Sequence, residues 1–120
     1  MNYRLVEDAR NNYVECMKGD GRIEHENDAL DLVGACGAYQ THRLLIYAEN
    51  LPEAFFDLRS GLAGEVLQKF ANYRIKAALV LPDALAHQGR FGEMVLEANR
   101  SNRMLHVFAE REQAEAWLVG

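Results

Sequence analysis

The sequence has little of what marks specialised protein classes. Its 120 residues include only two prolines, and 26% are charged, which argues against a disordered or collagen-like chain. The longest apolar runs, Leu44–Ala48 and Ala77–Pro82, have the length of strands and fall well short of the roughly 18 residues of a membrane span. We therefore expect a globular protein with no membrane partner, and the length favours a single domain over residues 1–120.

Basic residues and cysteines are also scarce. Thirteen Lys and Arg stand against 18 Asp and Glu, and a net charge of −5 argues against nucleic acid as a partner, because phosphate backbones are bound by cationic side chains. Cys16 and Cys36 are the only cysteines, and they form no Cys-x-x-Cys pair. The first residues lack the apolar core of a signal peptide. We expect reduced, buried thiols and a cytoplasmic location.

Motifs for catalysis and cofactor binding are missing. The glycines around Gly34 and Gly61 do not form a dinucleotide fingerprint or a phosphate loop, and neither Ser60 nor Ser101 lies in a Gly-x-Ser-x-Gly elbow. The four histidines have no i, i+4 pair and no carboxylate at metal-site spacing. We predict no catalytic residues, no cofactor and no metal site. An enzyme whose active residues converge only in an oligomer is the alternative.

Alternating apolar patterns predict five strands and four helices. The predicted strands are Tyr3–Glu7, Tyr13–Met17, Leu44–Ala48, Ala77–Leu81 and Met104–Phe108. The predicted helices run from Asn27 or Asp28 to about Ala38, from Ser60 or Gly61 to about Tyr73, within Asp83–Asn99, and over about Glu110–Leu118. The order β-β-α-β-α-β-α-β-α indicates an α/β fold, a mixed sheet with parallel central strands and packed helices.

Three further features carry expectations, and the last two are open to two interpretations each. In the first helix, Gly34 and Gly37 are predicted to share a face with Ala29, Leu30 and Val33 and to pack closely against the sheet. The second feature is an acidic helix start, either solvated or facing a basic partner, formed by Glu24, Glu26, Asp28 and Asp31. The third is a set of tyrosines that either form an exposed patch or pack in the core, Tyr3, Tyr39, Tyr47 and Tyr73.

The stretch Phe55-Phe56-Asp57-Leu58-Arg59-Ser60-Gly61-Leu62 carries a resemblance. Together with the order of elements, it resembles STAS domains, the bacterial anti-sigma-factor antagonist fold, which have an apolar pair, an aspartate, two serines and Gly-Leu at this helix start. Here Leu58-Arg59 replaces the first serine and adds one residue. Residues 55–80 are also similar to a small bacterial family, domain-of-unknown-function family 4180. The similar segments are Phe-Phe-Asp-Leu, Gly-Leu-Ala-Gly-Glu, Leu-Gln-Lys-Phe and Asn-Tyr-Arg.

The STAS resemblance implies a regulatory module that binds another protein, such as a regulatory kinase or an anti-sigma-like factor, with Ser60 as a phosphorylation switch. A serine at a helix start also caps the helix, which is the plainer interpretation of Ser60. Candidate contacts to a partner or a small anion are Phe55, Phe56, Asp57, Arg59 and Gly61. The carboxylate of Asp57 is expected to cap the helix or to pair with Arg59 or Arg74.

Two further expectations concern the same region. The alternative function is a small-anion or nucleotide-binding domain that uses the amino end of the second long helix, where backbone amides are free. The two adjacent phenylalanines also make this loop a candidate surface for a homodimer.

Overall fold

A computed structural model describes all 120 residues, and its five strands form one sheet. The strands are β1 Tyr3–Val6, β2 Tyr13–Cys16, β3 Arg43–Tyr47, β4 Lys76–Val80 and β5 Leu105–Phe108. They lie side by side in sequence order; β1 is antiparallel to β2, and every other neighbouring pair is parallel. This confirms the predicted α/β fold with a mixed sheet and parallel central strands.

Six helices connect and cover the strands. They are α1 Glu26–Ala38, α2 Glu53–Phe56, α3 Leu62–Asn72, α4 Asp83–Ala86, α5 Gly89–Ser101 and α6 Arg111–Val119, with 3-10 turns at Ala48–Asn50 and Leu58–Ser60. The four long helices match the four predicted ones, and α2 and α4 are single turns. None of the helices combines the length and apolarity needed to cross a membrane.

Helix α1 begins earlier than the sequence predicts. Its first residue is Glu26, and the carboxylate of Asp28 accepts hydrogen bonds from the backbone amides of Glu24 at 2.9 Å and His25 at 3.0 Å. The acidic side chain therefore satisfies free amides from within the first turn instead of from the residue before it. This contact supports the capping interpretation of the acidic helix start.

The two faces of the sheet are covered unequally. On one face, α1, α3 and α5 contribute to an apolar cluster of 24 buried residues that includes Leu44 and Ile46 of β3. On the other face only α6 packs, and Leu45 and Tyr47 join a cluster of seven buried residues. Strand residues alternate between faces, so each buried strand serves both clusters. Right-handed crossovers place the connecting helices on the same side, and only the last helix is free to cover the other.

The predicted packing role of Gly34 and Gly37 is wrong. Both residues are exposed, and a Cβ atom added to either one would meet no other atom within 4 Å. The buried residues of α1 are Ala29, Leu32, Ala35 and Cys36. Residues without a side chain contribute almost nothing to burial, so the larger Leu32 and Cys36 decide which face of this helix turns to the sheet.

Candidate functional site

The segment from Phe55 to Leu62 folds into a tight corner between two helices. The single turn α2 ends at Phe56, a 3-10 turn follows, and Gly61 adopts φ +81° before α3 begins. This left-handed conformation is strained for other residues, and it redirects the chain into α3. The segment lies between β3 and β4, beyond the carboxyl end of β3, where ligands of parallel sheets commonly bind.

The two phenylalanines of the segment belong mainly to the interior. Phe55 is 0% exposed, and its ring lies 6.0 Å from that of Phe91 of α5 in an edge-to-face arrangement. Phe56 is half-buried, with its ring centroid 5.0 Å from that of Phe91. Phe55 is therefore a core residue and not a partner contact, and this aromatic pair does not offer the exposed surface that a homodimer through the loop requires.

Asp57 and Arg59 form a local pair on the surface. The Asp57 carboxylate accepts hydrogen bonds from the backbone amide of Arg59 at 3.1 Å and from its Nε at 3.3 Å. These bonds, from the side chain first and the backbone second, lower the pKa of Asp57. Of the two arginines considered as partners, Arg59 is the one that pairs, and Asp57 caps the 3-10 turn rather than α3. The Arg59 side chain is 87% exposed and remains available to other ligands.

Ser60 is exposed at the start of α3, as its position in the sequence predicts. Its Oγ donates a hydrogen bond to the carbonyl oxygen of Ala54 at 2.6 Å and accepts one from the amide of Leu62 at 3.2 Å. The hydroxyl therefore does two things: it satisfies a free amide of α3 and holds the α2 turn against the beginning of α3. The first is the expected capping role, and the second depends on the hydroxyl hydrogen.

A cleft of about 650 Å³ opens beside this segment, between α2 with its following turn and the α4–α5 connection. Phe56, Asp57 and Arg59 line one side, and Gln88, Arg90 and Phe91 line the other. Arg59 and Arg90 bring two cations to the cleft, and Glu53 and Asp57 bring two carboxylates. Arg90 makes no ion pair within the chain. The arrangement combines one partly exposed aromatic ring with charges of both signs, a composition that suits contact with a polypeptide or a small anion.

A second polar cluster, between the sheet and α6, escaped the sequence analysis. Glu15 of β2 is only 4% exposed, and its carboxylate accepts hydrogen bonds from Arg4 at 2.9 Å, from Arg111 at 2.9 Å and from the hydroxyl of Tyr47. Burial by itself raises the pKa of Glu15, but these hydrogen bonds outweigh it and lower the pKa to about 2. A glutamate inside an otherwise apolar strand was the only signal in the sequence.

The same cluster anchors both ends of α6. At the amino end, Arg111 bonds to Glu15 and also donates to the hydroxyl of Tyr13 at 2.9 Å. At the carboxyl end, Arg43 donates to the carbonyl of Leu118 at 2.7 Å, and Lys76 donates to that of Trp117 at 2.7 Å. The positive charges of Arg43 and Lys76 also interact favourably with the negative, carboxyl end of the helix dipole. Every buried side-chain nitrogen and oxygen atom has a hydrogen-bond partner, so we interpret this cluster as a structural tether that holds α6 on the sheet.

The remaining candidate residues are dispersed. Cys16 and Cys36 are both buried, and burial raises the pKa of each thiol to about 12, so neither is a thiolate near neutral pH. His106 stacks on Trp117 with the ring centroids 4.6 Å apart. Of the four tyrosines considered as a patch, Tyr47 is buried and Tyr73 is exposed, whereas Tyr3 and Tyr39 form an exposed pair 6.5 Å apart.

Comparisons with known proteins bear on the family of this chain. Neither a search of curated proteins nor a search of solved structures found a match. A family model described as "Domain of unknown function (DUF4180)" matches residues 8–118. The match begins after β1 and spans the other four strands, and it includes the complete corner from Phe55 to Leu62. The chain therefore belongs to the DUF4180 family.

Proposed function

We propose that this chain is a regulatory protein-interaction module whose contact surface is the corner around Ser60, with phosphorylation of Ser60 as the switch. One observation carries the proposal: the exposed Ser60 hydroxyl donates the 2.6 Å hydrogen bond that connects α3 to the α2 turn. An accessible hydroxyl that also holds two elements together is a site where a small chemical change alters the local shape.

The chemistry of the switch follows from the hydroxyl hydrogen. Transfer of the γ-phosphoryl group from a nucleoside triphosphate breaks its bond to the bridging oxygen, forms an Oγ–P bond in place of the Oγ–H bond, and releases the nucleoside diphosphate and a proton. Oγ can then no longer donate to Ala54. The phosphate brings about −1.5 to −2 charges beside that carbonyl oxygen and repels it. At the same time the amino end of α3 favours the new negative charge. Phosphorylation is therefore expected to release α2 while leaving α3 intact.

The release would change the adjacent cleft. Phe56 lies on α2 and lines the cleft against Phe91, so a displaced α2 alters the apolar wall that a partner meets. Arg59 is free to leave Asp57 for the phosphate, since arginine forms stronger pairs with phosphate than with one carboxylate oxygen on a solvated surface. The partner surface thus differs between the two states in both shape and charge.

The resemblance to STAS antagonists supports this proposal, because that family has a serine at the equivalent helix start. We extend the proposal to a STAS-like fold, a bacterial source and a cytoplasmic location, with a regulatory kinase or an anti-sigma-like factor as the partner. Two unpaired, buried cysteines agree with a reducing compartment.

The test compares Ser60 with Ser101, the only other serine, which is exposed at the end of α5. We expect intact-mass analysis of the protein from its native host to reveal one added phosphoryl group that disappears in Ser60→Ala and persists in Ser101→Ala. Ser60→Asp should reduce recovery of a co-purifying partner, whereas Ser101→Asp should leave it unchanged. Identical partners for wild type and Ser60→Asp, with no phosphorylated species, would reject the switch.

The alternative, binding of a small anion or nucleotide, draws support from the two arginines of the cleft. Arg59 and Arg90 line it, and Arg90 has no carboxylate partner. A ligand that binds the folded state must raise its stability, so a thermal-shift panel of nucleotides and phosphate esters distinguishes this function from the first. A panel without any stabilising compound removes the alternative and leaves the interaction module.

A further inference from the structure

The two edges of the sheet differ in how their backbone groups are satisfied. At the β5 edge, the side chain of Asn99 accepts from the amide of Val107 at 2.7 Å and donates to its carbonyl at 3.0 Å. Asn102 accepts from the amide of Leu105 at 3.2 Å. These asparagines occupy the amides of Leu105 and Val107 and the carbonyl of Val107, so another strand cannot pair with β5 without displacing them.

The β1 edge is open. Tyr3, Arg4, Leu5 and Val6 pair with β2, and the amide of Met17 donates to the carbonyl of Asn2. Hydrogen-bonded pairs alternate in an antiparallel ladder, so Arg4 and Val6 bond to β2 while the amides and carbonyls of Tyr3 and Leu5 point outward. No turn, loop or side-chain group of the chain bonds to them.

A groove of about 440 Å³ adjoins this edge, between β1 and the exposed side of α1. Met1, Tyr3 and Leu30 contribute to its apolar lining, and Asp28 and Asp31 add two carboxylates. Tyr3 is 39% exposed and Tyr39 is 43% exposed, and their rings contact edge to face. Unpaired backbone groups and exposed aromatic rings thus occur on one continuous surface, which is the combination that sheet extension buries.

We propose that β1 pairs antiparallel with β1 of a second copy of this chain, joining two five-stranded sheets. The closed β5 edge excludes head-to-tail β1–β5 pairing, so the only sheet extension between copies uses the same edge twice and stops at a dimer. The proposal concerns a surface separate from the corner around Ser60, and its outcome is independent of the proposed switch.

The charges along β1 favour this arrangement. Arg4 lies in the strand, and the acidic Glu7 and Asp8 follow it. Arg4 bonds to Glu15, but its side chain is still 59% exposed. Antiparallel pairing centred on Leu5 pairs Leu5 with Leu5 and places Arg4 of each copy diagonally across from Asp8 of the other. Pairing centred on Arg4 would place two like charges opposite each other, which is unfavourable.

Sedimentation of wild type, Tyr3→Glu and Tyr73→Glu tests the dimer. In the proposed register Tyr3 of each copy lies opposite Glu7 of the other, so a glutamate at position 3 places two like charges opposite each other. Tyr73 is also an exposed tyrosine, and it lies at the end of α3, away from β1. We expect wild type and Tyr73→Glu to sediment at twice the 13.6 kDa of one chain and Tyr3→Glu to sediment as a monomer. Circular dichroism verifies that each variant is folded.

Amide hydrogen exchange provides a second measurement that needs no variant. The amides of Tyr3 and Leu5 should become protected as wild-type concentration rises, because pairing satisfies them. A monomer at every soluble concentration with fast-exchanging Tyr3 and Leu5 amides overturns the proposal and leaves the edge open for a strand of another protein. A dimer that survives Tyr3→Glu also overturns it, since the contact then lies elsewhere.

Discussion

The two faces of the sheet are stabilised in different ways. The face covered by α1, α3 and α5 is stabilised mainly by a large cluster of 24 buried apolar residues, whereas α6 lies on a cluster of only seven and is fixed at both ends by charged groups. Hydrophobic burial is non-directional, but hydrogen bonds specify position. A helix that covers a sheet face alone, such as α6, buries little apolar area, and polar contacts at its ends then fix its position.

The largest expected effect comes from truncating one leucine on each face. Leu79 of β4 faces the large cluster and Leu45 of β3 faces α6, and both are 0% exposed. Each substitution by alanine should cost about 2–5 kcal/mol, with Leu79→Ala near the upper end because three packed helices relax less into a cavity than one. Urea unfolding measures both free energies. A larger loss for Leu45→Ala would contradict the expectation that the face covered by three helices tolerates a cavity less well than the face covered by α6.

A smaller effect is expected from neutralising the carboxylate that holds α6. Glu15→Gln keeps the shape of the side chain but removes the charge that Arg4 and Arg111 contact, at a cost of roughly 1–3 kcal/mol. Glu93→Gln, at an exposed position of α5, is the control and should change little. An unchanged free energy of unfolding in Glu15→Gln would mean that α6 is held by apolar contact alone.

The free energies of unfolding of wild type and Glu15→Gln are expected to differ in their dependence on pH. The pKa of Glu15 falls from its ordinary 4.5 to about 2 on folding, so its contribution is fully present above pH 4.5 and is lost as the pH falls toward 2. The difference in unfolding free energy between wild type and Glu15→Gln should therefore shrink through this window. A difference that stays constant on acidification would contradict the assigned role of the carboxylate.

The smallest expected effect concerns Gly37, on the side of α1 that faces away from the large apolar cluster. Gly37 lies inside α1 with open space around its Cβ position, so Gly37→Ala should stabilise the protein by about 1 kcal/mol through helix propensity alone. Thermal unfolding detects this as a higher Tm. A lower Tm would indicate that Gly37 is closely packed, as the sequence predicts, and would contradict the open space around it in the structure.

Local sequence patterns were sufficient for most of the elements. The apolar runs of β3 and β4 and the helical period of α3 predicted their positions to within a few residues, whereas the start of α5 was left open. Ser60 was correctly expected to be exposed at a helix start. The aromatic pair shows the limit of such reasoning. Phe55 is hidden by Phe91, a residue of another helix, so its burial depends on packing that no local pattern encodes.

The alternation of strands and helices follows from local sequence, because periodicity and helix-start chemistry are properties of neighbouring residues. Which charges meet depends on the tertiary fold, since Glu15 and Arg111 are 96 positions apart in the chain and lie within 2.9 Å of each other in the structure. The same holds for the edges of the sheet, since Asn99 and Asn102 close β5 only once α5 has packed beside it. Contacts between distant residues arise from packing, and that is where both the tether of α6 and the open edge of β1 originate.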